Sequence, residues 1–417
     1  MEKFFLPGDI LLPKDADLSL WSVIACDQYS SEPAYWDGVN RRVGSSPSTL
    51  RLIFPEAYLT ARNADTERDR INETMRRYLD EGVFRTVEDS FVYVERALTV
   101  GETRRGLVGL VDLEAYDYRA DAVSPIRATE KTVESRLPPR VKIRMQAPLE
   151  LPHIIVFIDD PEDTVLGGVA GGEKLYDFDL MDGGGHIRGT RVTGAEAGRI
   201  EAALSALAEP DYLEKRYHLN GRPPVVIAMG DGNHSLATAR LCWEQIREGL
   251  TPAEREKHPA RFALAELVNI HDASVAFEPI HRVLFDTQTD DFFADAERYF
   301  AQSAGDEQTS HALTLACGGK KKELVVRGLT IGRLIDTAQH FCERYIARYG
   351  GRLDYIHGDE TAAGMAEKPG CAGMLLPVFD KSELFPSVIR SGAFPAKSFS
   401  IGPSRDKRYY LECRKIK

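Results

Sequence analysis

Residues 223–244 read PPVVIAMGDGNHSLATARLCWE. Two prolines lead into Val225-Val226-Ile227-Ala228-Met229, an apolar run of the length expected of a buried strand. Gly230-Asp231-Gly232-Asn233-His234-Ser235 follows, and then the spacing of an amphipathic helix. The pattern predicts a strand, a tight glycine turn, and a helix whose first turn carries an acid, an amide, an imidazole and a hydroxyl. Helix N-termini present unpaired N–H groups and a partial positive charge, which suits phosphates and other anions. Gly232 lets the backbone approach a ligand closely. A cap alone would account for Asp231 or Asn233, but a cap explains one polar residue and not four in a row. Polar groups gathered at the C-terminal edge of a buried strand mark ligand sites in α/β folds.

Outward from this unit, strands are expected at 153–158, closed by Asp159-Asp160-Pro161, and at 263–270. Upstream, 1–60 reads as irregular, 56–82 as mostly helical, and 91–98 and 106–113 as two strands joined through Gly101-Glu102. The glycine-rich stretch 166–189 reads as hairpin or loop. Thr193-Gly194-Ala195-Glu196 has the Thr-x-x-Glu form of a capping box before a helix. Downstream come a helix near 290–300, strands around Leu313 and Leu324, a helix over 331–349, and strands at 353–356, 374–379 and 408–413. Strands and helices mix without strict alternation, which predicts a mixed sheet in a two-lobed α/β (mixed α+β) fold. The expected division is a main lobe over 1–285, a small α/β subdomain over 286–352, and C-terminal strands over 353–417 that return to the main lobe.

The formal net charge of −11 argues against broad nucleic-acid binding, which needs a basic footprint. No apolar stretch approaches the roughly 20 residues that span a bilayer, and the start is too short for a signal-peptide core. The six cysteines are scattered with no Cys-x-x-Cys pair, as expected in a reducing cytoplasm. No oligomeric state is legible. The Gly-x4-Gly-Lys-Ser/Thr loop, the His-Glu-x-x-His helix and the Gly-x-Ser-x-Gly elbow are all missing from the sequence.

Several reactive groups sit beside turns. They are Glu130 in Thr129-Glu130-Lys131-Thr132, then Arg136, Arg140, Lys142 and Arg144, then Asp159 and Asp160, and His281-Arg282. Asp354 and His357 are expected on one face of a strand, and Lys397-Ser398 follow a proline turn. Each has a plain alternative: a charged solvated face for the arginines, a turn for Asp159-Asp160-Pro161, a satisfied core histidine for His281. Together an acid as base, cationic side chains and a glycine turn at a helix start are the parts of phosphoryl transfer, which depends on positioning and charge stabilisation. Asp231 or Asp159 is a candidate for holding Mg²⁺ between phosphates.

These segments, in this order, resemble the prokaryotic family labelled domain of unknown function 1015, a family without a settled activity. The usual turn of that family, Asp-Gly-His-His-Arg, is in turn similar to the Asp-Gly-His-Thr-Arg turn of the ParB and sulfiredoxin superfamily, which includes kinases of free L-serine. That second resemblance implies a nucleotide-phosphate site at Asp231, Gly232, Asn233, His234 and Ser235, with a separate glutamate as base, for which Glu130 is the candidate. Asn233 stands where histidine is usual, and Ser235 where arginine is usual. Arg144, Arg282 or Lys397 would have to replace that arginine, with His281 and Ser398 as further substrate-binding candidates. The expectation is a cytoplasmic phosphotransferase for a small hydroxylated metabolite, serine first, using ATP or ADP and Mg²⁺. The alternatives are a phosphoester hydrolase with the same anion site and a non-catalytic sensor of nucleotide or metabolite linked to serine metabolism.

Overall fold

The computed structural model describes residues 3–58, 63–170, 172–303, 305 and 307–417. It is a mixed α/β structure with two principal sheets. Part of the helix expected over 56–82 lies outside the described residues. Within them, Asn63 caps a helix at Ala64–Asp80 by accepting N–H bonds from Asp65 and Thr66.

The larger sheet has eleven strands. Near its centre Ile227–Asp231 pairs antiparallel with Ile155–Ile158 and parallel with Ile126–Arg127. Ile155–Ile158 pairs parallel with Phe262–Asn269, which is antiparallel to Thr103–Asp112. Beyond that lie Phe84–Ala97 and a hairpin of Lys174–Asp179 and His186–Val192, where a loop or hairpin was expected. The first 60 residues, expected to be irregular, add two strands, Phe5–Leu6 and Gly8–Pro13, and a helix at Pro33–Val43. Two strands in that segment escape a periodicity reading because one is two residues long and the other ends in proline.

The six-stranded sheet is centred on Phe277–Phe285, which pairs with Arg352–His357, Ala372–Leu375 and Phe399–Ile401. Ser310–Cys317 and Lys320–Arg327 extend it as a hairpin. The segment 286–352 therefore shares its sheet with residues on either side of it. Arg352–His357 and Ala372–Leu375 join this sheet and not the larger one, because Phe277–Phe285 offers both of its edges to them. The strand expected at 408–413 reduces to isolated bridges of Tyr409 to Ile24 and Cys413 to Leu11.

One apolar cluster runs through both lobes, from Phe157 and Met229 to Phe341 and Phe394. Phe277 joins them: its ring meets Phe157 edge-on at 6.1 Å and Phe379 in a stack at 4.9 Å. The capping box expected at Thr193 does not form. The Thr193 hydroxyl donates to the Asp89 carbonyl instead, and Glu196 pairs with Arg199. A reciprocal capping box is present at Thr251 and Glu254.

Candidate functional site

The strand, turn and helix of residues 223–244 form as the sequence indicates. The strand Ile227–Asp231 ends on its acid, Gly232 turns the chain, and the helix Asn233–Arg247 begins at once. Gly232 has φ +84°, a left-handed value that glycine tolerates, and a Cβ there would lie 3.1 Å from Ile154 Cα. As N-cap it brings no side chain to accept the first N–H groups. Gly230 also needs to be small, since a Cβ would meet the Phe157 ring at 2.8 Å.

The turn opens into a cavity of about 430 Å³. One wall is the turn itself, from Asp231 to Ser235. Glu130 forms another, because the Thr129 hydroxyl donates to the Met229 carbonyl at 2.8 Å and ties its segment to the strand. On its other side this segment is held by Phe394, whose N–H donates to the Thr129 carbonyl while the Lys131 N–H donates to the Phe394 carbonyl, both at 2.7 Å. Arg136, Arg140, Tyr355, Lys397, Asp27 and His153 also line the cavity.

Charge in the cavity is arranged by these partners. Glu130 Oε1 accepts N–H bonds from Ser398 at 2.7 Å and Phe399 at 3.3 Å. Burial nevertheless raises its carboxyl above the ordinary range, against those bonds and the charge of Arg282. Asp231 Oδ1 accepts from the Gly232 N–H at 2.9 Å, and its Oδ2 pairs with Lys407 at 3.1 Å. His234 Nε2 accepts from the Val133 N–H at 3.4 Å. Burial and the charges of Arg140 and Arg136 push its pKa down to about 4, so the ring is neutral at pH 7. His153 behaves in the opposite way. Burial opposes its charge, but Asp27 and Asp231 outweigh burial and raise its pKa. Its Nδ1 lies 2.8 Å from the Tyr410 hydroxyl. Cys26 beside it is pushed up to about 11 by burial and by Asp27, so it stays a thiol.

Lys397 is exposed and lies over the Tyr355 ring at 4.8 Å, on a backbone with φ +60°. Arg140 bonds Glu56, and its Nη1 donates to the Arg136 carbonyl at 2.9 Å. Among the described residues no group of three His, Cys, Asp or Glu is placed to hold a metal ion. Asp231 alone is a poor protein-built metal centre. It is adequate for Mg²⁺ shared with phosphates, which takes only one or two protein carboxylates.

Other expected site residues lie elsewhere. Arg144 is spent on Glu150 at 2.5 Å, a carboxylate that also takes Arg414. Ser398 is buried, with its hydroxyl donating to the Pro395 carbonyl at 2.6 Å, and it contributes its N–H. His281 is buried, accepting from the Leu376 N–H at 3.1 Å and bonding Asp359 at 2.8 Å. Arg282 is buried behind Tyr355 and does not line the cavity. Asp159 and Asp160 sit at the far end of the strand pair, since Ile155–Ile158 runs antiparallel to Ile227–Asp231. There Asp159 takes bonds from Arg216, Tyr217 and His271, and Asp160 takes the Val165 N–H. Asp354 and His357 are three apart on a strand, so they face opposite ways. Asp354 accepts from its neighbour's N–H, and Tyr355 is the residue of that strand that reaches the cavity. Asp27, His153, Tyr355 and Lys407 were not singled out in the sequence. Only Tyr355 had a signal there, its place between Asp354 and His357.

The family model described as "Protein of unknown function (DUF1015)" matches residues 8–341. The chain belongs to the DUF1015 family. Tyr355, Lys397 and Lys407 of this DUF1015 protein lie beyond the matched region. No curated protein matches the chain. Among solved structures, one of a free serine kinase in complex with AMP is 9% identical with a TM-score of 0.37, covering 74% of this chain and 91% of that one. A conserved hypothetical protein from Pyrococcus furiosus is 12% identical with a TM-score of 0.33, covering 74% and 94%. SbnI with a C-terminal truncation, from Staphylococcus aureus, is 9% identical with a TM-score of 0.33, covering 71% and 82%. Likeness at this level carries no argument about activity. No helix among the described residues is long and apolar enough to cross a membrane.

Proposed function

We propose that this DUF1015 protein is a phosphotransferase for a small hydroxylated metabolite, with serine the first candidate and a nucleotide the first candidate donor. One observation carries the reading: an uncapped helix start and a half-buried carboxylate raised by desolvation, Glu130, face the same cavity. The N–H groups after Gly232, with Arg136 and Arg140, form the phosphate end. Ser235 leaves the turn without its usual arginine, and these two arginines supply the charge from the 129–144 segment.

Glu130 is the group to take the proton from an acceptor hydroxyl. The N–H bonds to Oε1 fix the carboxylate and leave Oε2 for that proton. Its raised pKa makes it a stronger base than an exposed glutamate. Lys397 stands beside it as a cation for the acceptor or the transferred group. Asp231 is the residue to hold Mg²⁺ with the phosphates, and the ion would supply charge neutralisation between them.

The test is a thermal-shift screen with ATP, ADP, pyrophosphate, L-serine and phosphoserine, with and without Mg²⁺, followed by phosphotransfer assays. A ligand at about 100 times its Kd stabilises by roughly 2.7 kcal/mol. A Mg²⁺-dependent shift with nucleotide is expected, abolished in Asp231→Ala, with phosphotransfer lost in Glu130→Gln. Nucleotide binding without turnover would favour a sensor. Turnover of phosphoserine without nucleotide would favour a hydrolase. No shift with any ligand would end the proposal.

A further inference from the structure

Arg282 is 0% exposed, yet none of its hydrogen bonds goes to a carboxylate. Its Nε donates to Gln339 Oε1 at 3.1 Å. Its Nη1 donates to the Ile280 carbonyl at 2.5 Å and to the Lys397 carbonyl at 2.8 Å. Nη2 is buried with no partner, and the Tyr355 ring lies 5.0 Å from the guanidinium carbon. A guanidinium in such surroundings is costly unless an opposite charge is near. Burial disfavours its charge, and Cys342, Tyr355 and Glu130 act the other way, Glu130 being the carboxylate among them.

The Lys397 carbonyl is a telling place for such a bond. Lys397 has φ +60°, a left-handed conformation that is unfavourable for a non-glycine residue and persists only where its surroundings hold it. The next two N–H groups, of Ser398 and Phe399, are those that grip Glu130 Oε1. One buried side chain thus fixes the strained residue, and the strained residue aims the amides at the carboxylate.

We infer that Arg282 is a positioning residue for Glu130, fixing through the Lys397 carbonyl the turn that holds this carboxylate and supplying its counter-charge. Arg282 touches no cavity space and is not a catalytic residue. The other cations near Glu130 are differently employed. Lys397 projects over Tyr355, and Lys131 is paired with Asp336 at 2.8 Å.

The test is direct titration of the Glu130 carboxyl in the full chain, by infrared difference against Glu130→Gln, in wild type, Arg282→Gln and Arg282→Lys. Removing the positive charge raises the midpoint, and about one unit is expected in Arg282→Gln, with Arg282→Lys between it and wild type. A folded Arg282→Gln protein with the wild-type midpoint overturns the inference. If Arg282→Gln does not fold, Arg282→Lys decides. It keeps the charge but loses the fork that reaches both Gln339 and Lys397, so an unmoved midpoint there also overturns it. The inference extends the proposed base role of Glu130, but the titration needs no turnover. A protein that transfers no phosphate yet shows the moved midpoint loses the functional reading and keeps this one. If there is turnover, the acid limb of kcat/KM moves up by the same amount.

Discussion

His234 is a neutral ring under the charge of two arginines, and that makes it a reporter of what enters the cavity. Its pKa is pushed down to about 4 by burial and by Arg140 and Arg136. An anion at the helix start would offset those charges and favour the imidazolium, so its pKa must rise on binding. Titrating the ring by NMR should give a midpoint near 4 in the free protein and an upward move of about one unit or more with pyrophosphate. Pyrophosphate that binds without moving it is bound elsewhere. At this scale the sequence was informative about residue type and less so about direction. It pointed to the charged segment at 129–144, but the guanidinium groups at the cavity are those of Arg136 and Arg140, and Arg144 is spent on Glu150. His281 and Arg282 lie next to each other in sequence, and neither reaches the cavity. Which neighbour in a cluster points inward depends on packing from segments far away in sequence.

The strand, glycine turn and helix were legible because their signals are local: an apolar run, a glycine that must be left-handed, and helical spacing. Gly232→Ala should cost about 1–2 kcal/mol for the left-handed backbone alone, with more from the contact with Ile154. Gly198→Ala is the contrast. It lies within the helix Gly194–Leu207 with nothing near its Cβ position, so the substitution should raise stability by about 1 kcal/mol. Denaturant unfolding of both variants checks the pair, and equal effects would contradict the assignment of the turn. The direction of Ile155–Ile158 relative to Ile227–Asp231 was not legible. That single choice sends Asp159 to the opposite end from Asp231. Strand direction depends on chain crossings, and no local pattern encodes it.

Across the molecule, the larger sheet carries a charged network through its interior. Glu266 is 0% exposed and pairs with Arg408 at 2.6 Å and Arg104 at 3.3 Å, and Arg408 also takes Glu412 at 2.5 Å. Removing one member leaves a buried charge uncompensated, so Glu266→Ala should lose about 3–5 kcal/mol in equilibrium unfolding. A loss below about 1 kcal/mol would mean the network is not closed in solution. Nothing local announces such a network, since its members are scattered from Arg104 to Glu412. The same region secures the segment that carries Lys407. Arg96 donates to the carbonyls of Lys407 at 2.6 Å and Arg405 at 2.8 Å, and Arg104 to that of Asp406 at 3.2 Å. During synthesis Asp231 leaves the ribosome long before Lys407. Until the later segment docks, the acid faces the unfinished cavity without its counter-ion and repels phosphate. On the proposed reading the anion site is complete only once this late segment has docked, which ties ligand capture to the chain's own folding.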